Sequence, residues 1–170
     1  MTALTPYDWS RMYQEPNVEK WHRRFLSLCL EVAKWSKDPS TKTGCLIVDD
    51  RRRILSTGYN GFARGVEDTP ERYENRELKY AFVVHADLNA IYSAAANGVS
   101  VDGCTMYLTG PPCAECCKGI IQAGIKQVIW PEDNPFEKDE ATRARWAVSL
   151  DNSNTLLREG GVRSWRMPSE

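Results

Sequence analysis

Strand-like apolar runs alternate with helical patterns along most of this chain, and no other feature constrains its fold as strongly. The segment GCLIVDDRRRILSTGYNG, residues 44–61, contains two strand-like runs joined by a polar turn and predicts a β-hairpin. Helices are predicted over 87–96, 113–123 and 137–159, with strands in CTMYLT, KQVIW and GGVRSW. Strands that alternate with helices after an initial hairpin predict an α/β domain, with a mixed sheet and helices on both faces.

One more helix and one long loop complete the predicted elements. Apolar residues recur at helical spacing before Pro39 and predict an amphipathic helix whose stripe packs in the core: Trp21, Phe25, Leu28, Val32 and Trp35. The segment from Phe62 to about Lys79 is predicted to be a long polar loop, and loops of that length in compact domains are commonly functional or mobile.

Chain length and composition favour one domain. The 170 residues, 42% of them hydrophobic, are enough for one compact core and too few for two domains that each have a well-filled core. Residues 1–18 look like an added N-terminal arm, and residues 19–170 are predicted to form the single domain.

The charge balance argues against a polynucleotide partner. The net charge is −1, from 22 basic and 23 acidic residues, so no overall field attracts a polyanion. The basic run Arg51–Arg53 follows two aspartates and is interpreted as a solvated turn. The N-terminus lacks the apolar core of a secretory signal, and no stretch approaches the roughly 18 apolar residues of a membrane span. We therefore expect a cytoplasmic protein with no membrane association.

Residues that bind metals lie where strand patterns pass into helices. The segment PPCAECC places Cys113 and Cys116 about one turn apart at a predicted helix start, where the helix dipole favours thiolates. His85 lies at another such junction, and two parallel strands with helices leaving their carboxyl ends would bring both helix starts together. Three protein ligands leave the fourth position of a zinc ion open, which is typical of catalytic zinc.

The Cys-x-x-Cys pair alone also fits a structural zinc site or a redox dithiol. A closed structural site needs a fourth ligand, for which Cys117 is the obvious candidate. Its side chain, one residue along the helix, points about 100° away from that of Cys116. The other cysteines lie in apolar patterns and are interpreted as small buried hydrophobic residues: Cys29, Cys45 and Cys104.

The histidine and cysteine motifs resemble the His-x-Glu and Pro-Cys-x-x-Cys signature of zinc-dependent nucleobase deaminases. Within that superfamily the chain is most similar to the deoxycytidylate (dCMP) deaminases, over roughly residues 20–131. The resemblance is carried by WSKDPSTKTGCLIV, GYNGFARG, HADLNAI and CTMYLTGPPCAECCKGIIQAGIKQVIW. It implies a three-layer αβα cytidine-deaminase-like fold with a central mixed sheet of about five strands.

The same resemblance implies zinc-dependent hydrolysis of dCMP to dUMP and ammonia. Zinc lowers the pKa of its bound water, so that hydroxide can attack C4 of the base, and a carboxylate moves the protons. In the family that carboxylate is a glutamate, at the position which this sequence fills with Asp87. Aspartate draws the carboxylate back by about 1.5 Å, the length of one carbon–carbon bond.

The shorter side chain leaves three interpretations open: a deaminase whose site has moved to suit aspartate, a protein altered to be slow, and a zinc protein that no longer catalyses. In the last case the site would bind dCTP or dTTP as a nucleotide sensor. A deaminase of another cytosine nucleotide, 5-substituted or differently phosphorylated, is a further alternative. Closure of the zinc site by Asp87 itself is disfavoured, because its family position lies beside the bound water.

Contacts to the substrate are assigned from family positions and residue chemistry to Asn60, Gly61, Arg64, Ser40, Lys42, Ala86 and Pro112. Asn60 matches a position expected near the nucleotide sugar, although Asn-Gly is also ordinary turn chemistry. Gly58 and Gly61 would allow the backbone to approach the nucleotide closely. Arg64 would bind a phosphate or serve an effector site. Ser40 and Lys42 would assist the phosphate.

Regulation and assembly are implied only by the resemblance. The family is often hexameric, with dCTP as activator and dTTP as inhibitor, so a homo-oligomer is expected, with Mg²⁺ accompanying a nucleoside triphosphate effector. The chain departs from the family after KQVIW, where others continue with a Ser-Asp-Lys-Tyr-like segment that helps to hold the nucleotide. That departure leaves selectivity for the monophosphate open.

Overall fold

The computed structural model describes residues 16–134 and 139–168. The helices are α1 Pro16–Ala33, α2 Pro70–Glu74, α3 Arg76–Phe82, α4 Ala86–Ala96, α5 Ala114–Gln122 and α6 Glu140–Glu159. The strands are β1 Gly44–Val48, β2 Ile54–Tyr59, β3 Gly61–Phe62, β4 Val83–Val84, β5 Thr105–Leu108, β6 Gln127–Pro131 and β7 Arg163–Met167.

Five strands form the central mixed sheet, in the order β2-β1-β5-β6-β7. Strand β1 runs antiparallel to both β2 and β5, whereas β5, β6 and β7 are parallel to one another. The predicted hairpin is confirmed, with Cys45 opposite Gly58, and GGVRSW supplies the last strand. The predicted α/β class and the sheet of about five strands are therefore confirmed.

Side chains alternate between the two faces of this sheet. Ile47, Met106 and Val128 pack in one buried cluster with residues of α4, α5 and α6. Their sequence neighbours Leu46, Tyr107 and Ile129 pack on the other face in a second cluster, with residues of α1. Because the strands are covered on both sides, they contain apolar runs without polar alternation. The three layers are α1, the sheet, and the group α4, α5 and α6.

The predicted loop from Phe62 to Lys79 is wrong, since it contains α2 and most of α3. Pro70 occupies the first turn of α2, where its missing N–H costs nothing. Asn75 caps α3 by accepting hydrogen bonds from the backbone N–H groups of Glu77 and Leu78. These two short helices are largely polar and have no long apolar stripe, so their composition resembled that of a loop.

The strand that precedes α4 is not a neighbour in the main sheet. Strand β4 pairs antiparallel with β3 in a separate two-stranded sheet. The prediction that two parallel strands deliver both helix starts is therefore wrong for α4. This helix is instead held against β2 at Gly58, where an added Cβ would lie 2.1 Å from the carbonyl oxygen of Ala86. Gly58 serves helix packing, which corrects its predicted approach to the nucleotide.

Helix α1 buries a face that only partly matches the predicted stripe. Phe25 and Val32 are buried, but Leu28 is 43% exposed and Trp35, beyond the end of the helix, is 59% exposed. Cys29, one residue after Leu28, is fully buried instead. The stripe was predicted with the right period, but the buried face is rotated around the helix.

The predicted boundary of the N-terminal arm stays a prediction. Residues 16–18 belong to the start of α1, and residues 1–15 lie outside the described part of the chain. None of the helices within residues 16–134 and 139–168 is long and apolar enough to cross a membrane.

Candidate active site

Two helix starts bring three metal-binding side chains together. His85 is the N-cap residue of α4, Cys113 is the N-cap residue of α5, and Cys116 lies in the first turn of α5. The Nδ1 atom of His85 lies 3.5 Å from Sγ of Cys113 and 3.3 Å from Sγ of Cys116. The two sulfur atoms are 3.4 Å apart. The predicted cluster therefore forms, although β4 and not a parallel strand delivers His85.

This donor set fits a zinc ion. A tetrahedral zinc with bonds of about 2.3 Å to sulfur and about 2.1 Å to nitrogen holds its ligand atoms roughly 3.6–3.8 Å apart. The observed separations of 3.3–3.5 Å are slightly shorter, so small side-chain movements would bring the three atoms to the spacing that zinc requires. Within residues 16–134 and 139–168 no other trio of histidine, cysteine or acidic side chains is arranged to hold a metal.

The electrostatics of the cluster favour a thiolate. The pKa of Cys113 is lowered to about 4, chiefly by its hydrogen bond with Cys116 and also by the hydrogen bond with His85. The same hydrogen bond with Cys113, together with burial, raises the pKa of Cys116. The hydrogen bond with Cys113 raises the pKa of His85. Metal binding needs both thiolates, so an arriving zinc ion would release the proton held by the pair.

Asp87 lies in the first turn of α4, two residues after His85. Its side chain is buried, with 5% of the residue exposed, and its Oδ1 accepts a hydrogen bond of 3.0 Å from the backbone N–H of Leu88. Burial raises the pKa of the carboxyl group, while a hydrogen bond with Cys116 and the charge of His85 act against that shift. A carboxyl group thus lies directly beside the metal-binding cluster.

The cluster opens into a cavity of about 700 Å³. Its walls come from the segment before β1, from α3, from the His85–Asp87 junction, from the segment after β5 and from one face of α6. Cavities of roughly 300–1,000 Å³ are typical of small-molecule sites. The arrangement offers a metal site and a carboxyl group at one wall of a space large enough for a nucleotide.

The predicted substrate contacts divide into two groups. Those that line the cavity are Ser40, Lys42, Asn60 and Ala86. Gly61, Arg64 and Pro112 are not among the lining residues. Gly61 lies in β3, the side chain of Arg64 is exposed, and the carbonyl oxygen of Pro112 accepts a hydrogen bond from Ser153. Pro111 lines the cavity in place of Pro112.

The Asn60 side chain is engaged by the protein itself. Its Oδ1 accepts from the backbone N–H of Thr43, and its Nδ2 donates to the carbonyl oxygen of Thr41 and to Oδ2 of Asp38. The residue is only 6% exposed. Asn60 therefore ties the hairpin exit to the 38–43 segment, a role closer to its turn interpretation than to direct sugar binding.

A buried ion pair that the sequence did not reveal also holds the 38–43 segment in place. Lys79 of α3 lies 2.8 Å from Asp38, and their side chains are 15% and 2% exposed. Burial opposes ionisation of Asp38, but Lys79 and the backbone N–H groups of Ser40 and Thr41 outweigh it and lower the pKa of the carboxyl group. The partners are 41 residues apart, and Lys79 was predicted to end a loop, so no local signal paired them.

Other cavity residues were also missed: Arg76 and Tyr80 of α3, and Thr142, Arg145 and Trp146 of α6. Their only sequence signal was spacing, since Tyr80 follows Arg76 by four residues, and Arg145 and Trp146 follow Thr142 by three and four. The prediction that the other cysteines are small buried residues is confirmed for Cys29, Cys45 and Cys104.

Comparison with known proteins agrees with this geometry. Residues 19–132 match the family model described as the cytidine and deoxycytidylate deaminase zinc-binding region. Human deoxycytidylate deaminase is 44% identical over 136 residues, which cover 77% of this chain and 75% of that protein. An uncharacterised deaminase in the luxG 3′ region of Aliivibrio fischeri is 36% identical over 151 residues, covering 89% of this chain and 96% of that protein.

Solved structures show the same fold. The dCMP deaminase of cyanophage S-TIM5, in complex with dCMP and dUMP, superposes with a TM-score of 0.63 at 26% identity and covers 91% of this chain and 99% of its own. Its apo form has a TM-score of 0.66 at 24% identity, with 91% and 100% coverage. This chain is therefore a nucleotide deaminase of the zinc-dependent cytidine-deaminase-like superfamily, and it belongs within it to the deoxycytidylate (dCMP) deaminase family.

Proposed function

We propose that this protein converts dCMP and water to dUMP and ammonia, with zinc held by His85, Cys113 and Cys116 and the Asp87 carboxylate as proton shuttle. The observation that carries the proposal is the buried carboxyl group of Asp87 beside the three metal-binding atoms, all at one wall of a single cavity. The choice of dCMP is supported by the cyanophage relative, which was solved with dCMP and dUMP.

The chemistry divides between the metal and the carboxylate. When bound, zinc held by His85, Cys113 and Cys116 would supply a Lewis acid that lowers the pKa of a water molecule to near 7. Asp87 would take one proton from the attacking water and pass it to N3 of the base. It would then take the second proton from the hydroxyl group formed on C4 and pass it to the 4-amino group, so that the C4–N bond breaks, ammonia leaves and the C4 carbonyl of uracil remains. General acid and base catalysis of this kind contributes typically 10²–10⁴-fold to the rate.

The length of Asp87 sets how it can do this work. A proton donor or acceptor must lie within about 2.6–3.2 Å of its partner, or act through one water. Because aspartate is about 1.5 Å shorter than glutamate, we propose that a bridging water completes the path. The Leu88 N–H holds one carboxylate oxygen, so the side chain cannot swing freely toward the cavity centre.

The test is dCMP deamination by the zinc-loaded protein, followed by loss of cytosine absorbance, with Asp87→Asn and Asp87→Glu beside it. We expect turnover by the unsubstituted protein, a loss of about 10²-fold or more in kcat for Asp87→Asn, and retained or increased activity for Asp87→Glu. Turnover by Asp87→Asn at the rate of the unsubstituted protein would remove Asp87 from the mechanism.

A nucleotide sensor is the second candidate, because Asp87 stands where the family has glutamate. In that case the zinc-loaded protein would bind dCTP or dTTP without turning over any cytosine nucleotide, while Asp87→Glu would restore deamination of dCMP. Activity on dCTP or on a 5-substituted cytosine nucleotide, with none on dCMP, would favour a deaminase of a different nucleotide.

Assembly and regulation extend the proposal. We propose a homo-oligomer, a hexamer by analogy with the family, that responds to dCTP and dTTP. Arg64, exposed and outside the cavity, is then assigned to the effector and not to the substrate. Light scattering gives the mass of the particle. If Arg64→Ala changes the response to dCTP while leaving KM for dCMP unaltered, the assignment to the effector stands.

A further inference from the structure

One face of α6 runs from the cavity to the core of the domain. Thr142 and Trp146 line the cavity near the start of the helix, and Leu157 is buried near its end. Between them the same face carries Ser149 and Ser153, which lie four residues apart. Ser153 is 2% exposed and Ser149 is partly buried. A buried hydroxyl group loses its hydration and needs a hydrogen-bond partner within the protein.

Both serines contact the turn that carries Cys113. The backbone N–H of Ala114, directly after Cys113, donates a hydrogen bond of 3.2 Å to Oγ of Ser149. Oγ of Ser153 donates to the carbonyl oxygen of Pro112, directly before Cys113, at 2.9 Å. The same Oγ lies 2.7 Å from the carbonyl oxygen of Ser149, a common contact of helical serines, so its one hydrogen is shared between two acceptors. Helix α6 thus holds the chain on both sides of a candidate zinc ligand.

These contacts fix the backbone at Cys113. A peptide group is planar, so the direction of the Cys113 side chain depends on the two dihedral angles between the peptide groups on either side, here φ −78° and ψ 166°. Ser153 holds the preceding peptide group, and Ser149 holds the following one. The carbonyl oxygen of the following group also accepts a hydrogen bond of 3.0 Å from the N–H of Cys117. With both groups held, Sγ of Cys113 is kept 3.5 Å from Nδ1 of His85.

The start of α5 needs this help because its N-cap residue has another task. A serine, threonine, aspartate or asparagine at an N-cap position accepts a hydrogen bond from an N–H group of the first turn. Cys113 is the N-cap residue of α5 and makes no such side-chain bond, since its sulfur belongs to the metal-binding cluster. Ser149 supplies an acceptor to this turn from a different helix and leaves the sulfur available to the metal.

We propose that Ser149 and Ser153 are positioning residues, which hold Cys113 in its metal-binding conformation and so raise the zinc affinity of the site. Groups that hydrogen-bond around metal ligands typically contribute 10–100-fold to metal affinity. Both serines lie beyond residues 19–132, which match the family model. The inference rests on the proposed function for the identity of the metal, but not for the reaction.

Competition with a chromophoric chelator measures the zinc affinity of each purified variant without any substrate. For Ser149→Ala we expect zinc to bind about 10-fold more weakly or worse, because the peptide group after Cys113 loses one of its anchors. Ser149→Thr keeps the hydroxyl group and should retain most of the affinity. Adding Ser153→Ala to Ser149→Ala should weaken zinc binding further.

Ser36→Ala is the matched control for loss of a buried hydroxyl group. Ser36 is 2% exposed, donates to the carbonyl oxygen of Asn60 at 2.7 Å and accepts from the N–H of Asp38 at 3.2 Å. Urea unfolding of the zinc-free proteins gives their stability. We expect the control to lose stability and to keep the zinc affinity of the unsubstituted protein. Equal weakening of zinc binding by Ser36→Ala and Ser149→Ala would overturn the proposal, as would unchanged affinity in the double serine variant.

Zinc binding and deamination of dCMP are separate measurements. If the serine variants lose zinc affinity as expected while the unsubstituted, zinc-loaded protein leaves dCMP unchanged, the positioning role stands and the proposed reaction fails. If dCMP is deaminated and the serine variants bind zinc as tightly as the unsubstituted protein, the reaction stands and the positioning role is rejected. An unsubstituted protein that binds no zinc contradicts both.

Discussion

Adjacent residues on α5 have different surroundings. Cys116 lies 3.3 Å from the His85 ring nitrogen, whereas Cys117, also fully buried, belongs to the apolar cluster between the sheet and the helices. The turn of the helix separates their side chains by about 100°. One cysteine is thus available to a metal, and its neighbour packs in the core.

This difference predicts unequal effects of the same substitution. Cys113→Ser should reduce zinc content to well below one ion per chain, because a hydroxyl is a far poorer zinc ligand than a thiolate. Cys117→Ser, the matched control, should retain zinc and lose only some stability. Elemental analysis of the purified variants measures both. Loss of zinc from Cys117→Ser with retention by Cys113→Ser would reverse the ligand assignment.

His22, on the opposite side of the sheet, makes stability depend on pH. Burial lowers its pKa to about 4, and the charge of Glu19 acts against the shift. Its Nδ1 lies 2.7 Å from the Tyr107 hydroxyl, and Nε2 has no hydrogen-bond partner among the described residues. The unfolded chain, with an ordinary histidine pKa of 6.5, binds the proton more readily, so stability is full above pH 6.5 and falls as the pH drops toward 4.

We expect that dependence to amount to about 2 kcal/mol of unfolding free energy. Urea unfolding at several pH values, in the natural chain and in His22→Phe, isolates it, because every other titrating group is common to both proteins. The variant should show a flatter profile between pH 4 and 6.5. Parallel profiles would mean that His22 binds its proton equally well in the folded and unfolded chains, so that burial does not lower its pKa.

Residues close in sequence or at helical spacing were the predictable ones. Cys113 and Cys116 followed from the pair at a helix start, and His85 from its own junction, because local geometry dictates where such side chains point. The Asp38–Lys79 pair and the cavity residue Arg145 were missed. Their roles depend on segments that meet only after folding, which spacing in the sequence does not encode.

At the scale of elements, close contact between β2 and α4 places the site. An added Cβ on Gly58 would lie 2.1 Å from the Ala86 oxygen and 2.4 Å from the Ala90 nitrogen, both backbone atoms of α4. Ala86 stands between His85 and Asp87 in the sequence, so any movement of this end of α4 also moves the candidate ligand and the carboxylate.

Gly58→Ala should therefore cost about 3 kcal/mol of stability and also weaken zinc binding. Gly61→Ala is its control, since the nearest atom to an added Cβ there is a Tyr59 ring carbon at 4.0 Å. Denaturant unfolding gives the first quantity and competition with a chelator the second. If both variants behave like the natural chain, α4 is not held in place by Gly58.

The alternation of strands and helices was enough to predict the class and the mixed sheet, because period and length distinguish those elements. It failed for β4, whose two valines continued an apolar run and so resembled a sheet strand. It also failed for α2 and α3, which are short and polar. Pairing of β4 with β3 is a tertiary fact, and the polar sequences of the two helices carry little periodic signal.

In the whole molecule, the two faces of the central sheet have different roles. Helix α1 and its buried cluster cover one face. The metal-binding residues lie with α4 and α5 on the other face. The cavity gathers walls from the 38–44 segment, α3 and α6, so the site depends on the complete domain. We propose that this assembled site uses water to replace the amino group of dCMP.

Isotope labelling follows the oxygen atom that water would give to the product. The zinc-loaded protein is incubated with dCMP in water enriched in ¹⁸O, and the mass of the product is measured by mass spectrometry. Protein stripped of zinc is treated in the same way as a control. We expect dUMP that carries one solvent oxygen, with one ammonia released per dUMP, and no product from the stripped sample until zinc is restored. Unchanged dCMP in the zinc-loaded sample would contradict the proposed deamination.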